Sequence, residues 1–245
     1  MLGLSAVKLV NPMDFHKFVL HHYPATRSVR VRWMLQETVG DQFELRRVDL
    51  YGGDQDEPEY LSLNPNHHVP MLEIHRSVGD VQLMLESTAI VEWLAEAFPE
   101  KGLAPPVEAS RERSEYLQYL HFGGTWMDMM LWQIRAHRHV LGPDESDTRT
   151  ITRYEKKFRN ECEPQLARRL EHGEFILGDS FSAADVIIGH NVFWARGYGL
   201  CQEDTFARYL DRLLLRPAFS AALDDLADFS IEPAEDAPVR QRFSG

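Results

Sequence analysis

The stretch Asn64-Pro65-Asn66-His67-His68-Val69-Pro70-Met71-Leu72, followed after a turn by Leu85-Glu86-Ser87-Thr88-Ala89-Ile90, decides how this chain is read. A proline that opens an extended apolar run cannot donate to a sheet ladder, and the bond before it is the one that is cheaply cis. Val69-Pro70 is therefore predicted to be a cis kink at the start of a strand. Such a kink exposes backbone, so Val69 can offer its N–H and C=O to an extended peptide, as an added strand pairs with a sheet edge. Glu86-Ser87 falls where the next helix is predicted to begin. Free N–H groups and a hydroxyl there suit a carboxylate, and Glu86 suits an ammonium. The two halves together fit a small peptide with an amino-acid head.

Upstream, residues 18–22 (Phe-Val-Leu-His-His) read as a short strand. After Pro24 comes a helix with Val31, Met34, Leu35 and Thr38 on its apolar face, stopped by Gly40. Residues 43–48 alternate as a half-buried strand does, and a Gly/Asp-rich loop over 51–57 precedes a short helix near Tyr60. Downstream of Ser87, a helix carries Ile90, Trp93, Leu94 and Ala97 on one face and closes at Pro99. The order is strand, helix, strand, short helix, two strands, helix. Residues 1–14 lack periodicity and read as a loose leader before a domain over 15–98.

Residues 99–108, rich in proline, mark a linker. Beyond it the signals are helical over 109–140, 148–172, 182–198, 203–214 and 217–228, giving an all-helical domain over 109–230 and a tail over 231–245. Ser182 and Asp185 form a capping box, with Phe181 placed to staple against Val186. That motif is structural.

Composition agrees with a soluble protein of the cytoplasm. Of 245 residues, 44% are hydrophobic, and the formal charge of -12 argues against nucleic acid or an anionic membrane as partner. No apolar run reaches the ~18 residues of a membrane span, and the first twenty residues lack a signal-peptide layout. Cys162 and Cys201 show no metal-ligand or Cys-x-x-Cys spacing and read as reduced thiols. The pairs His21-His22 and His67-His68 do not chelate well, because neighbours on a strand point to opposite faces, so no metal is expected.

The 64–90 block resembles the N-terminal, thioredoxin-like half of the cytosolic glutathione transferases. In that family the residue before a cis-proline pairs with the cysteinyl backbone of glutathione, and an acidic-Ser pair holds the γ-glutamyl head. Val69, Pro70, Glu86 and Ser87 match those positions. His67 and His68 stand where the family usually has Gly and then Lys or Gln, and His68 is the residue left to donate to the glycyl carboxylate. The resemblance spans about residues 18–230. It implies an α/β thioredoxin-like N-terminal domain followed by an all-α C-terminal domain, with glutathione as cosubstrate and a homodimeric assembly.

It also locates the chemistry at Tyr23-Pro24-Ala25-Thr26-Arg27-Ser28. A cysteine-type thiol has a pKa of ~8.5, so an enzyme at neutral pH gains chiefly by stabilising the thiolate. A helix N-terminus and one hydroxyl donor contribute about 1 to 3 kcal/mol. Thr26, Ser28 and Tyr23 are the three candidate donors, in that order, and Thr26 and Ser28 are also natural caps. No cysteine lies here, which argues against the thiol-transferring branches. The branch resembled is the bacterial and fungal one with Thr/Ser-Arg before the first helix. Arg27 is placed to reach a glutathione carboxylate.

The second substrate, a hydrophobic small molecule, is expected against Tyr116, Tyr119, Phe122 and Trp126, where an aromatic and Met-rich helix is relieved by Gly123-Gly124. His121 or Tyr119 can polarise a leaving group. The implied reaction is conjugation or substitution by glutathione thiolate. Ether cleavage, isomerisation and peroxide reduction use the same thiolate, and a non-catalytic binding protein of the same fold is the rival reading.

Overall fold

The computed structural model describes residues 15–77 and 79–229. The expected leader over 1–14 and tail over 231–245 lie outside the described residues. Strand β1 (Phe15–His22) leads to helix α1 (Ser28–Val39), strand β2 (Glu44–Arg47), helix α2 (Pro58–Leu63), strands β3 (Met71–Arg76) and β4 (Val81–Leu85), and helix α3 (Ser87–Ala97). The sheet order is β2-β1-β3-β4. β1 runs parallel to β2 and antiparallel to β3, and β3 antiparallel to β4. This is the thioredoxin-like arrangement that the order of elements predicts.

Helices α4 (Arg111–His121), α5 (Asp128–Arg135), α6 (Thr148–Glu161), α7 (Glu163–Leu170), α8 (Ala183–Arg196), α9 (Asp204–Leu214) and α10 (Pro217–Ala222) follow. A π-helical turn over Phe122–Met127 joins α4 to α5, and a second over Ala136–Val140 extends α5. The capping box of α8 forms as read, with Asp185 accepting from the Ser182 backbone at 3.0 Å. Phe181 lies against Trp33, with ring centroids 5.7 Å apart. Cys162 and Cys201 are buried and unbridged, and burial pushes the Cys162 thiol up to about 12. No helix among the described residues is long and apolar enough to cross a membrane.

The helix read over 148–172 divides at Cys162 and the one read over 217–228 stops at Ala222, and two elements of the N-terminal half differ in burial from their sequence reading. All four residues of β2 are exposed, because β2 is the edge strand and is held by ion pairs such as Arg46 to Glu73 at 2.9 Å. Helix α1 is buried nearly all round, Arg30 and Arg32 included. It is wedged between the sheet and α8 and α10, so its one-sided apolar face understates its burial. Arg30, fully buried, makes this wedge specific. Its guanidinium grips the Asp128 carboxylate with both terminal nitrogens, and it also bonds Asn191, while Nε donates to His190 Nδ1 at 3.0 Å. One side chain thereby ties α1 to α5 and α8.

Candidate active site

Between β1 and α1 the chain turns tightly. Ala25 sits at φ 53°, left-handed for a residue with a Cβ, a conformation that costs about 1 to 2 kcal/mol. Arg135 of α5 donates to the Ala25 carbonyl at 2.9 Å and so holds the turn. The next residue, Thr26, lines a cleft of about 670 Å³ between the sheet and the helices. Its hydroxyl donates to the Tyr23 carbonyl at 2.7 Å and lies 2.7 Å from Ser28 Oγ. The Ser28 N–H returns to Thr26 Oγ1 at 3.3 Å, a cap on the first turn of α1.

Ser28 is not at the cleft, which corrects its candidacy as thiol donor. It is fully buried, with Oγ 2.7 Å from His22 Nδ1, and His22 Nε2 is 3.0 Å from Asp225 Oδ2. Burial, outweighing the opposing Asp225 carboxylate, lowers the His22 pKa, so the ring is neutral. The carboxylate keeps its one proton on Nε2, which leaves Nδ1 to accept from Ser28. Thr26-Ser28-His22-Asp225 is thus a hydrogen-bonded chain whose outer end alone reaches the cleft. The order Ser-His-Asp carries no nucleophile here, because the serine has no route to a substrate.

Tyr23 is corrected likewise. Its ring is buried in a small cluster with Val48, Tyr60, Val69 and Met71, under Tyr51 and Phe229, with the Arg47 guanidinium 5.3 Å from its centre. It lies behind the cleft wall.

The Val69-Pro70 bond is cis, and Val69 lines the same cleft as Thr26. Among the described residues neither the N–H nor the C=O of Val69 has a hydrogen-bond partner. The preceding carbonyl, of His68, is fixed by the Tyr60 hydroxyl at 2.8 Å and the Asn64 amide at 2.7 Å. A free peptide edge is therefore presented from a rigid support. The His68 ring also lines the cleft, 4.0 Å from Glu86; burial lowers its pKa against the opposing pull of Glu86, leaving a neutral ring with one N–H donor.

Ser87 is the first residue of α3. Glu86 before it holds φ 70° and ψ 108°, strained for a side-chain-bearing residue, and its carboxylate is exposed. Arg30 donates to Ser87 Oγ at 3.2 Å, so the hydroxyl proton is free to be given to a ligand, with a cation behind it. Arg27 lines the cleft with its guanidinium 5.2 Å over the Trp132 ring and Nε 3.8 Å from Asp128. Arg30, Asp128 and His190 had no signal of their own in the sequence. Arg30 lay inside the quoted turn, but its partners stand about 100 and 160 residues away.

None of the four residues expected to hold the second substrate lines the cleft. Tyr116 is fully buried, its hydroxyl unbonded among the described residues and the Arg113 guanidinium 5.0 Å from its ring. Tyr119 and Phe122 pack edge to face, with Arg169 over Tyr119, and Trp126 lies under the Lys157 ammonium. His121 is exposed beside Glu92 at 3.8 Å. The two glycines are points of close approach. A Cβ on Gly123 would meet Ile187 and Ile188 of α8 at 2.7 and 2.9 Å, and one on Gly124 would strike Thr88 of α3. The far wall of the cleft instead comes from Trp132 and Arg135, from His139 and Leu141 beyond them, and from Trp194. Trp132, Arg135 and His139 recur at three and four residues, the spacing of one helical face, and that repeat was open to reading.

The family model for the glutathione S-transferase N-terminal domain matches residues 17–96. Disulfide-bond oxidoreductase YfcG of Escherichia coli strain K12 is 28% identical over 208 residues, covering 83% of this chain and 93% of the relative. Maleylacetoacetate isomerase of Rhizobium meliloti is 30% identical over 183 residues, 73% of this chain and 81% of the relative. Among solved structures, a glutathione transferase from Burkholderia graminis with two glutathione molecules bound per subunit has a TM-score of 0.72 at 29% identity, over 85% of this chain and 88% of that one. With a relative matched at that identity over most of its length and the fold shared throughout, the chain belongs to the glutathione S-transferase family.

Proposed function

We propose that this chain is a glutathione transferase in which Thr26 stabilises the glutathione thiolate. Glutathione lies extended along Val69, pairing its cysteinyl backbone with the free N–H and C=O. Its γ-glutamyl carboxylate takes the Ser87 hydroxyl and the α3 N-terminus, its ammonium takes Glu86, and His68 donates to the glycyl carboxylate. The sulfur then falls at the α1 turn, where Thr26 is the one hydroxyl of the three candidates that lines the cleft, and its single proton, given to the Tyr23 carbonyl in the free protein, turns to the sulfur. The thiol gives its proton to solvent, and the thiolate bonds to the electrophilic atom of an apolar substrate, displacing a leaving group or adding across a polarised bond. A cytoplasmic homodimer is the setting we assign.

The observation that carries this reading is the pair of unpartnered Val69 backbone groups in the same cleft as Thr26, with Ser87 at a helix start backed by Arg30. Retention on glutathione-agarose, followed by an ultraviolet difference scan for bound thiolate at neutral pH, tests it. Retention with a thiolate band is the expected result. Retention without one favours a glutathione-binding protein without turnover, and failure of retention overturns the reading.

A further inference from the structure

We infer that the second substrate of this cleft carries a carboxylate, which Arg135 binds, on a flat apolar body held between Trp132 and Trp194. The inference rests on the glutathione reading above and extends it to the chemical class of the partner.

The chain bears a formal charge of -12, yet among the described residues no aspartate or glutamate lines the cleft, and Glu86 stands outside the lining, 4.0 Å from the His68 ring. Its charged and titratable side chains, besides the Tyr51 phenol, are Arg27, Arg135, His67, His68, His139 and His190. Burial lowers the pKa of His68, His139 and His190, so the positive charge of the lining rests on the two arginines, and such a lining attracts anions.

Within that lining the two arginines differ. Arg27 has Asp128 at 3.8 Å. Arg135 is only 9% exposed and has no carboxylate within ion-pairing distance among the described residues. Its guanidinium donates to the Ala25 carbonyl at 2.9 Å and to the Tyr51 hydroxyl at 3.3 Å, and lies 5.3 Å from the centre of the Phe229 ring. These neutral partners orient the group without neutralising it. A buried cation lacking a counter-ion is costly to keep, and a ligand carboxylate relieves that cost. The unopposed charge is felt around it: after burial, Arg135 is among the causes that lower the pKa of Arg27, His139 and His190.

Glutathione's own anionic groups have other receptors, Ser87 with the α3 N-terminus and His68, which leaves Arg135 unclaimed. The surroundings fit the rest of the ligand. Trp132 and Trp194 supply flat apolar walls, and Leu141 and Pro143 close one side. An aromatic or conjugated acid meets all of these. The glycyl carboxylate of a second glutathionyl unit is the other source of the same group.

Matched electrophiles separate these cases. The probes are 1-chloro-2,4-dinitrobenzene and 4-chloro-3,5-dinitrobenzoate, in each of which the thiolate sulfur bonds to the ring carbon and chloride leaves. After division by the uncatalysed rates, the wild-type kcat/KM should favour the benzoate by about tenfold or more. In Arg135→Gln that ratio should fall to near one, and Arg135→Lys should keep part of it. The ratio is blind to any general loss of activity or of folded protein. Glutathione disulfide as a competitor against the benzoate distinguishes the sources, since competition that is lost in Arg135→Gln identifies a glutathionyl carboxylate as a ligand of this residue. An absent preference in the wild type, a ratio unmoved by Arg135→Gln, or a glutathione KM that rises as far as the benzoate's overturns the inference. Lack of turnover with both electrophiles overturns the transferase reading instead. Tryptophan quenching by 3,5-dinitrobenzoate against 1,3-dinitrobenzene then still decides the role of Arg135, with tighter binding of the acid that is lost in Arg135→Gln as the expected result.

Discussion

The two walls of the cleft are built on different principles. In the function proposed above, the sheet-side wall works through short local segments, the Val69 edge and the turn before α1, with the start of α3 beside the cleft. The helical wall presents side chains, Trp132, Arg135, His139 and Trp194, from α5 and α8 and the segment beyond α5. Main-chain recognition needs special local geometry, so it leaves a compact signature within a few residues, such as Val69-Pro70 or Glu86-Ser87. Side-chain recognition from a long helix needs only the right face, and one chain carries several apolar faces. The first wall should fail on backbone change as well as on loss of its few polar side chains, while the second should depend on its side chains alone.

Arg30 offers the largest test, because it is buried behind the cleft and bonds both Ser87 of α3 and Asp128 of α5. Truncation as Arg30→Met strands Asp128 in a buried site and removes the donor to Ser87. A loss of about 3 to 5 kcal/mol of stability is expected in urea unfolding, together with weaker glutathione binding. A neutral result would mean that the walls are not coupled through this residue.

Gly124→Ala comes next. The added methyl would strike Thr88 beside Ser87, and overpacking of this kind costs about 1 to 3 kcal/mol. Since it pushes on the start of α3, the glutathione KM should rise more than kcat falls. Saturation kinetics show which parameter moves.

Ser87→Ala leaves the backbone of that wall in place and removes one hydroxyl. A hydrogen bond to a charged group is worth about 1.5 to 3 kcal/mol, so the glutathione KM should rise by about tenfold or more, with turnover at saturation little changed. An unmoved KM would place the γ-glutamyl head elsewhere.

How much was legible follows the same division. The cis bond at Val69-Pro70, the helix opening at Ser87 and the capping box of α8 were each encoded within a few neighbouring residues, and each is present. The order of strands and helices was readable because periodicity and turn residues are local. Contacts across the chain were not. Ser28 stood second to Thr26 as a candidate donor until folding placed His22 and Asp225 behind it. Gly123-Gly124 looked like space for a guest, although the same lack of side chains also serves close approach of α8 and α3. Tyr116 satisfied an aromatic pattern that is shared by a core and a binding face.

Two smaller effects sharpen the contrast between buried and cleft-lining groups. Asp225→Asn can donate its amide to His22 Nε2 and so move the ring proton to Nδ1. Ser28 then accepts from His22 and can give its own proton to Thr26 Oγ1, which leaves the Thr26 proton only the Tyr23 carbonyl and the bound thiolate as acceptors. The bound thiol pKa should fall, by less than about one unit for a change relayed through two hydrogen bonds. A rise would refute the assigned proton positions. Tyr116→Phe removes a buried hydroxyl that has no partner among the described residues. Stability should hold or improve slightly, and kcat/KM should not change; a marked loss of activity would restore Tyr116 to the substrate site.

The central claim is that Thr26, at the cleft end of the Thr26-Ser28-His22-Asp225 chain, holds the thiolate. Thiolate absorbance titrated against pH, with glutathione saturating, reads it directly in Thr26→Val, Ser28→Ala and Tyr23→Phe. Loss of one charge-assisted hydrogen bond should raise the bound thiol pKa by about one to two units in Thr26→Val, with a smaller shift in Ser28→Ala and none in Tyr23→Phe. A pKa unmoved in Thr26→Val, or moved further in either of the other two, would contradict the account.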